Sequence, residues 1–283
     1  MMIERRPLLD VLTWLVLVCG VLVIAFPVYV MVVTSTHTAT ELTQTPIPLG
    51  FGHALFDNYG QVLHHGAGES ATPVASMLRN SLIMALGVAI GKIVISMLSA
   101  FAIVYFRFPG RRVCFWMIFI TLMLPIEVRI IPTYQIVANF GMLNSYSGLI
   151  IPIIASATAT FLFRQFFLTV PDELTEAACM DGAGPLRFFR DILLPLSGTT
   201  IAALFVIQFI YGWNQYLWPL LMTTEKSMTP VVVGLTQMMS RSGDAVTDWN
   251  LVMTTAMLAM LPPALVVVLM QRWFVKGLVE TEK

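Results

Sequence analysis

Glu176-Ala177-Ala178-Cys179-Met180-Asp181-Gly182 is followed, nine residues after the glycine, by Ile192-Leu193-Leu194-Pro195. This polar stretch lies between two long apolar runs. Pro171 suits the first turn of a helix, and Asp172 and Glu173 suit the positive end of the helix dipole. Residues 172–180 are therefore predicted to form a short helix. Asp181-Gly182 should end it, because glycine takes left-handed backbone angles without steric cost. A second short helix is expected from about Pro185, carrying Phe188, Phe189 and Ile192, until Leu194-Pro195 stops it. Two short helices joined at a glycine make a compact knob. Such a knob can dock in a cleft of another protein and transmit displacement as a rigid body.

The surroundings of the knob set the fold class. Apolar residues make up 57% of the 283 and charged residues 11%. That is too little polar surface to cover a water-soluble domain. Six apolar runs, roughly 11–33, 80–104, 113–135, 148–168, 200–222 and 251–272, each have the length a helix needs to cross about 30 Å of hydrocarbon. They do not alternate with period two, so helices rather than barrel strands are expected to satisfy the backbone in lipid. The first run follows Arg5 and Arg6 but is longer than a signal-peptide core, and it is expected to be an uncleaved span. The expected architecture is an all-α integral membrane protein of six transmembrane helices, one membrane-spanning unit over residues 1–283.

Basic residues predict the orientation. Arg5, Arg6, Arg107, Arg111, Arg112, Arg164, Arg187, Arg190, Arg272, Lys276 and Lys283 fall on one side, eleven of the sixteen Lys and Arg. The loop 34–78 has none, and the loop 223–250 has only Lys226 and Arg241. Both termini and the knob are expected on the cytoplasmic side. The histidines of the loop 34–78 (His37, His53, His64 and His65) are expected to be solvated. Zero net charge gives no basic face for nucleic acid. Cys19, Cys114 and Cys179 are scattered and odd in number, which suggests neither a disulfide framework nor a metal site. No cofactor is expected.

The pattern E-A-A-x3-G-x9-I-x-L-P resembles the cytoplasmic signature loop of the permease subunits of bacterial ATP-binding-cassette importers. Gly91 to Pro109 (GKIVISMLSAFAIVYFRFP), Phe115 to Thr133 (FWMIFITLMLPIEVRIIPT) and Phe209 to Leu221 (FIYGWNQYLWPLL) resemble the sn-glycerol-3-phosphate branch of the maltose-type carbohydrate permeases. The likeness implies a type I importer permease fold with a core over residues 77–272. It also implies a sister permease, two separate ATPase subunits that hydrolyse the ATP, an extracytoplasmic binding protein, and a bacterial inner-membrane location. The solutes it implies are sn-glycerol-3-phosphate and related glycerophosphodiesters. Carried onto this chain, the ATPase-coupling residues would be Glu176, Ala177, Ala178, Asp181, Gly182, Ile192, Leu194 and Pro195. A permease for another carbohydrate, or an ion-gradient-driven transporter, is the alternative.

Within the spans, ionisable and amide side chains are costly and mark candidate solute-pathway positions. They are Lys92, Glu127, Arg129, Asn214 and Gln215. Glu127 and Arg129 are two apart on a helix and do not face each other. Lys92 has the reach to meet Glu127, which would leave Arg129 as positive charge near the outer mouth. Gly87-Val88-Ala89-Ile90-Gly91-Lys92 is one residue short of a phosphate-binding loop and lies inside a span. Its glycines instead suit close helix packing. An intramembrane enzyme would need paired carboxylates, and Glu127 is alone in the spans.

Overall fold

Every regular element among the described residues is helical. The computed structural model describes residues 7–44, 46, 48–66, 72–121, 126–240 and 248–279; the side chains of 7, 8, 126, 127 and 273–279 also lie outside the description. Among the described residues, three helices are each long and apolar enough to cross a membrane. They lie within α1 (Pro7–Thr34), α4 (Val74–Tyr105) and α15 (Trp249–Val279). Between the first two come α2 (Ala39–Leu42) and α3 (Leu55–His64). After α4 follow α5 (Arg111–Ile120) and α6 (Ile126–Asn139), which together match the third apolar run. Residues 122–125 of that run, Pro125 included, are not described.

The fourth and fifth runs are bent rather than straight. Tyr146–Ile153 and Ala157–Phe167 meet at 51°, and Pro185–Leu196 and Gly198–Trp213 meet at 73°. Counting each bent pair as one crossing gives up to five among the described residues. In run four, α7 (Tyr146–Ile150) tightens into a 3-10 turn over Ile151–Ile153, and Ser156 restarts the chain as the N-cap of α8 (Ala157–Phe167). Pro152 gives the reason: it has no N–H for a continuing helix, and its ring would clash with the carbonyl four residues back.

Run five refines one expectation and corrects another. The second short helix of the knob ends at Leu196, one residue past Leu194-Pro195, ahead of the 73° bend. After α9 (Asp172–Met180) and α10 (Pro185–Phe188), a π-turn over Phe189–Leu193 takes the chain through α11 (Leu194–Leu196). A π-turn lets a helix pass a proline by shifting the hydrogen-bond register. The other end falls short: α12 (Gly198–Trp213) stops before Asn214, and α13 (Leu217–Met222) begins anew. Pro219 would break a continuous helix there. The loop 223–250 also holds a helix, α14 (Val231–Ser240).

The chain divides into two compact units. One comprises residues 1–75 and 235–260, the other residues 76–234 and 261–283. In the first, the turn after α1 is held by buried polar groups. Asn58 Nδ2 donates to the Ser35 and His37 carbonyls at 2.9 and 2.8 Å, and Asn250 Nδ2 donates to Asn58 Oδ1 at 2.9 Å. Thr36 Oγ1 accepts from the Gly52 N–H at 2.7 Å, and Ala54 N–H donates to the Thr36 carbonyl at 2.8 Å. His37 is buried, contrary to the expectation of a solvated side chain; His53, His64 and His65 are exposed. Its ring bridges Glu41 (Nδ1 to Oε2, 2.7 Å) and the Gly50 carbonyl (Nε2, 2.9 Å).

In the second unit, α4 is the central post. Cβ atoms at Gly87 and Gly91 would run into the side chains of Ile150 and Ile154, so these isoleucines of run four pack directly onto the glycine face of α4. Asn80 is fully buried and fully used. Its Nδ2 donates to the Ser227 and Thr229 carbonyls at 2.8 and 3.2 Å, and its Oδ1 accepts from Tyr146 Oη at 2.7 Å. An apolar layer of Ile93, Met97, Phe101, Phe163, Phe167 and Leu204 fills the space toward the other end of α4.

Candidate functional site

The signature stretch folds as the knob the sequence calls for. Gly182 has φ +67°, and the helix end closes with two bonds: Gly182 N–H to the Cys179 carbonyl at 3.1 Å and Ala183 N–H to the Ala178 carbonyl at 2.9 Å. This is the Schellman arrangement, which places glycine at the left-handed position. Nothing lies within 4 Å of a Cβ built on Gly182, so the backbone angle rather than space selects glycine there.

One side of the knob is bolted to the spans. Ala178, Phe188 and Leu193 are buried against Phe101, Phe163 and Phe167, with Ile192 partly buried beside them. Tyr105 meets Phe188 with ring centroids 5.2 Å apart, and Phe101 meets Phe189 at 4.9 Å. Aromatic pairs at such distances stabilise by about 0.5–1.5 kcal/mol each beyond area burial. The opposite side is open. Glu173, Glu176, Ala177 and Asp181 are exposed, as are Leu194 and Pro195. Met180 and Leu186 are 83% and 77% exposed at its tip. Arg187 and Arg190 reach Asp191 at 3.6 and 3.7 Å on the exposed face, pairs that contribute roughly 0–1 kcal/mol. The knob is thus rigid on its spans and unsatisfied outward, with two bare apolar side chains ringed by charge. Sequence reasoning missed the platform of Phe101, Phe163 and Phe167. Its signal was the recurrence of Phe163 and Phe167 four apart, one face of a helix.

The span polar residues separate. Lys92 is 6% exposed, and its Nζ sits 3.5 Å from the Tyr211 ring centroid. Desolvated contacts of this kind reach about 2 kcal/mol. Gln215 Nε2 donates to the Tyr211 carbonyl at 3.2 Å, so Lys92, Tyr211 and Gln215 belong to one neighbourhood. Asn214 is exposed where α12 ends, and its backbone N–H donates to the Ile210 carbonyl at 3.0 Å. Arg129 is exposed on α6. The side chain of Glu127 lies outside the described residues, so its expected pairing with Lys92 has no counterpart among them. Tyr211 was not foreseen as the partner of Lys92; two residues on different helices carry no sequence signal of their meeting.

Residues 92–280 match the family model described as binding-protein-dependent transport system inner membrane component. The chain belongs to this family. It is a membrane transport component rather than an enzyme. Over their whole length and the whole of this chain, relatives from Brucella melitensis and Agrobacterium fabrum are 57% and 58% identical to it. A relative from Yersinia enterocolitica is 57% identical over the same full coverage. All three are named sn-glycerol-3-phosphate transport system permease protein UgpE. The fold is similar to that of a bacterial ABC transporter involved in the import of the acidic polysaccharide alginate. That match has a TM-score of 0.83 at 20% identity and covers 97% of this chain and all of the other.

Proposed function

We propose that this protein is one membrane half of an ATP-driven importer of sn-glycerol-3-phosphate and related glycerophosphodiesters. The observation that carries the reading is full-length identity of 57–58% to permeases named for that solute. Its partners are a sister permease, two ATPase subunits and an extracytoplasmic binding protein. The core spans residues 77–272. Both termini and the knob face the cytoplasm, as the eleven-to-two distribution of basic residues favours.

In this account the chain does no bond chemistry. ATP closes the partner subunits, which carry the knob 172–195 with them. Because Ala178, Phe188 and Leu193 tie the knob to α4 and α8, the displacement reaches the spans, and the cavity opens outward to the loaded binding protein. Glu176, Ala177 and Asp181 offer the partner-facing surface; Gly182, Ile192, Leu194 and Pro195 fix its shape. The direct test is uptake of labelled sn-glycerol-3-phosphate by the complex reconstituted in vesicles with ATP inside. Binding-protein-dependent accumulation is the expected result. ATP-driven uptake of another carbohydrate, with none of the phosphate ester, would overturn the substrate.

A further inference from the structure

Lys92 stands in the middle of α4. About 27 Å of helix precede it and about 20 Å follow it, at 1.5 Å per residue. A lysine side chain cannot carry its charge to water over that distance, so the ammonium must be met inside the protein. One face of it is covered by the Tyr211 ring. Among the described residues no carboxylate lies within ion-pair distance of Lys92 or Arg129. A buried ammonium on an aromatic face, without a counter-charge among the described residues, is costly unless an anion joins it.

The backbone is also open at this depth. Gly91, beside Lys92, packs against Ile154, and Ser96, one turn on, donates from Oγ to the Ser156 carbonyl at 3.1 Å. The break in run four, between Ile153 and Ala157, therefore lies level with Lys92. Its far side is the N-terminus of α8, an eleven-residue helix whose dipole favours negative charge. Non-helical backbone inside a span is tolerated where it is buried in protein or lines a cavity. Gln208, buried and one turn from Tyr211 on α12, supplies a further polar group on that face.

We infer that Lys92, buried on the Tyr211 ring, forms the anion subsite that takes the phosphate of the solute as it passes through the span. The ammonium acts as a compact point charge toward the phosphate oxygens. The inference rests on the reading of the solute as an organic phosphate.

The test uses the reconstituted complex with Lys92→Gln, Lys92→Met and Lys92→Arg, all measured per assembled complex. The readouts are uptake of labelled sn-glycerol-3-phosphate over a range of concentrations and ATPase activity stimulated by the loaded binding protein. Lys92→Gln and Lys92→Met should lower uptake about tenfold or more and raise the apparent KM. Stimulated ATPase activity should persist. Lys92→Arg should keep uptake within about threefold of wild type. Absence of wild-type uptake would overturn the substrate reading and this subsite with it. Wild-type uptake accompanied by full uptake in Lys92→Gln would overturn the subsite alone. Loss of assembly in both neutral variants, or recovery of Lys92→Gln by adding Glu127→Gln, would make Lys92 a structural cation and end the proposal.

Discussion

The knob 172–196 and the turn 34–58 are both compact structures at the ends of spans, and they are held by opposite means. Ala178, Phe188 and Leu193 anchor the knob by apolar burial, and its polar side chains are left exposed. The turn 34–58 buries its polar side chains instead: Thr36, His37 and Asn58 each bond to backbone groups of distant residues. An apolar anchor holds by close packing over a broad area, which couples the knob to α4 and α8 while its polar face stays free. A hydrogen-bonded anchor fixes one local geometry, since each bond is lost beyond a few tenths of an ångström.

That contrast can be broken by substitution. Phe188→Ala should have the largest effect on stability, about 3–5 kcal/mol, because it empties a buried aromatic site between Tyr105 and the Phe163–Phe167 layer. The thermal midpoint of the purified complex reads it, and a loss below about 1 kcal/mol would mean that the anchor is not apolar burial. Asn58→Leu should cost about 2–3 kcal/mol, because it strands the Ser35 and His37 carbonyls and the Asn250 amide. An unchanged midpoint would show that water replaces these bonds. Gly182→Ala should cost about 1 kcal/mol through its φ of +67° alone, since there is open space for the methyl group. A larger loss would point to a contact at that site.

The smallest effect is the pH dependence of the turn 34–58. Both His37 nitrogens face acceptors, the Glu41 carboxylate and the Gly50 carbonyl, and only the imidazolium can donate to both. Burial works against that charge, but the Gly50 carbonyl and then the Glu41 carboxylate outweigh it and raise the His37 pKa above 6.5. Glu41 is the charged group that acts on the ring. The Glu41 pKa is lowered, first by its bond to His37. The His37 contribution is therefore complete below pH 6.5 and is lost as pH rises through the folded-state value. The gap in thermal midpoint between wild type and His37→Gln should correspond to about 1 kcal/mol or less at pH 6 and shrink toward pH 8. A gap that grows with pH would reverse the sign and refute the bridge.

The same contrast governs what the sequence could tell. The knob was legible because its parts are local: an acidic first turn, a glycine at a left-handed position, aromatic residues at helical spacing. The six apolar runs were legible by length and composition. The bends were not. A proline within an apolar run leaves open a kink, a break or a π-turn, and Pro152, Pro195 and Pro219 produced three different outcomes. The turn 34–58 was opaque because hydrogen bonds between Asn58, Asn250 and distant carbonyls leave no periodicity. For the same reason Lys92 could be singled out as costly while Tyr211, its partner, could not.

The open side of the knob is the surface proposed to dock in the ATPase subunit. Met180, at its tip, can be replaced by a photo-crosslinking residue in the assembled complex, where Met180 touches little within its own chain. The account predicts an adduct with the ATPase subunit, weakened when Gly182→Pro is added, because proline cannot take the left-handed angle that aims the tip. An adduct confined to the sister permease or to lipid, with uptake intact, would contradict it.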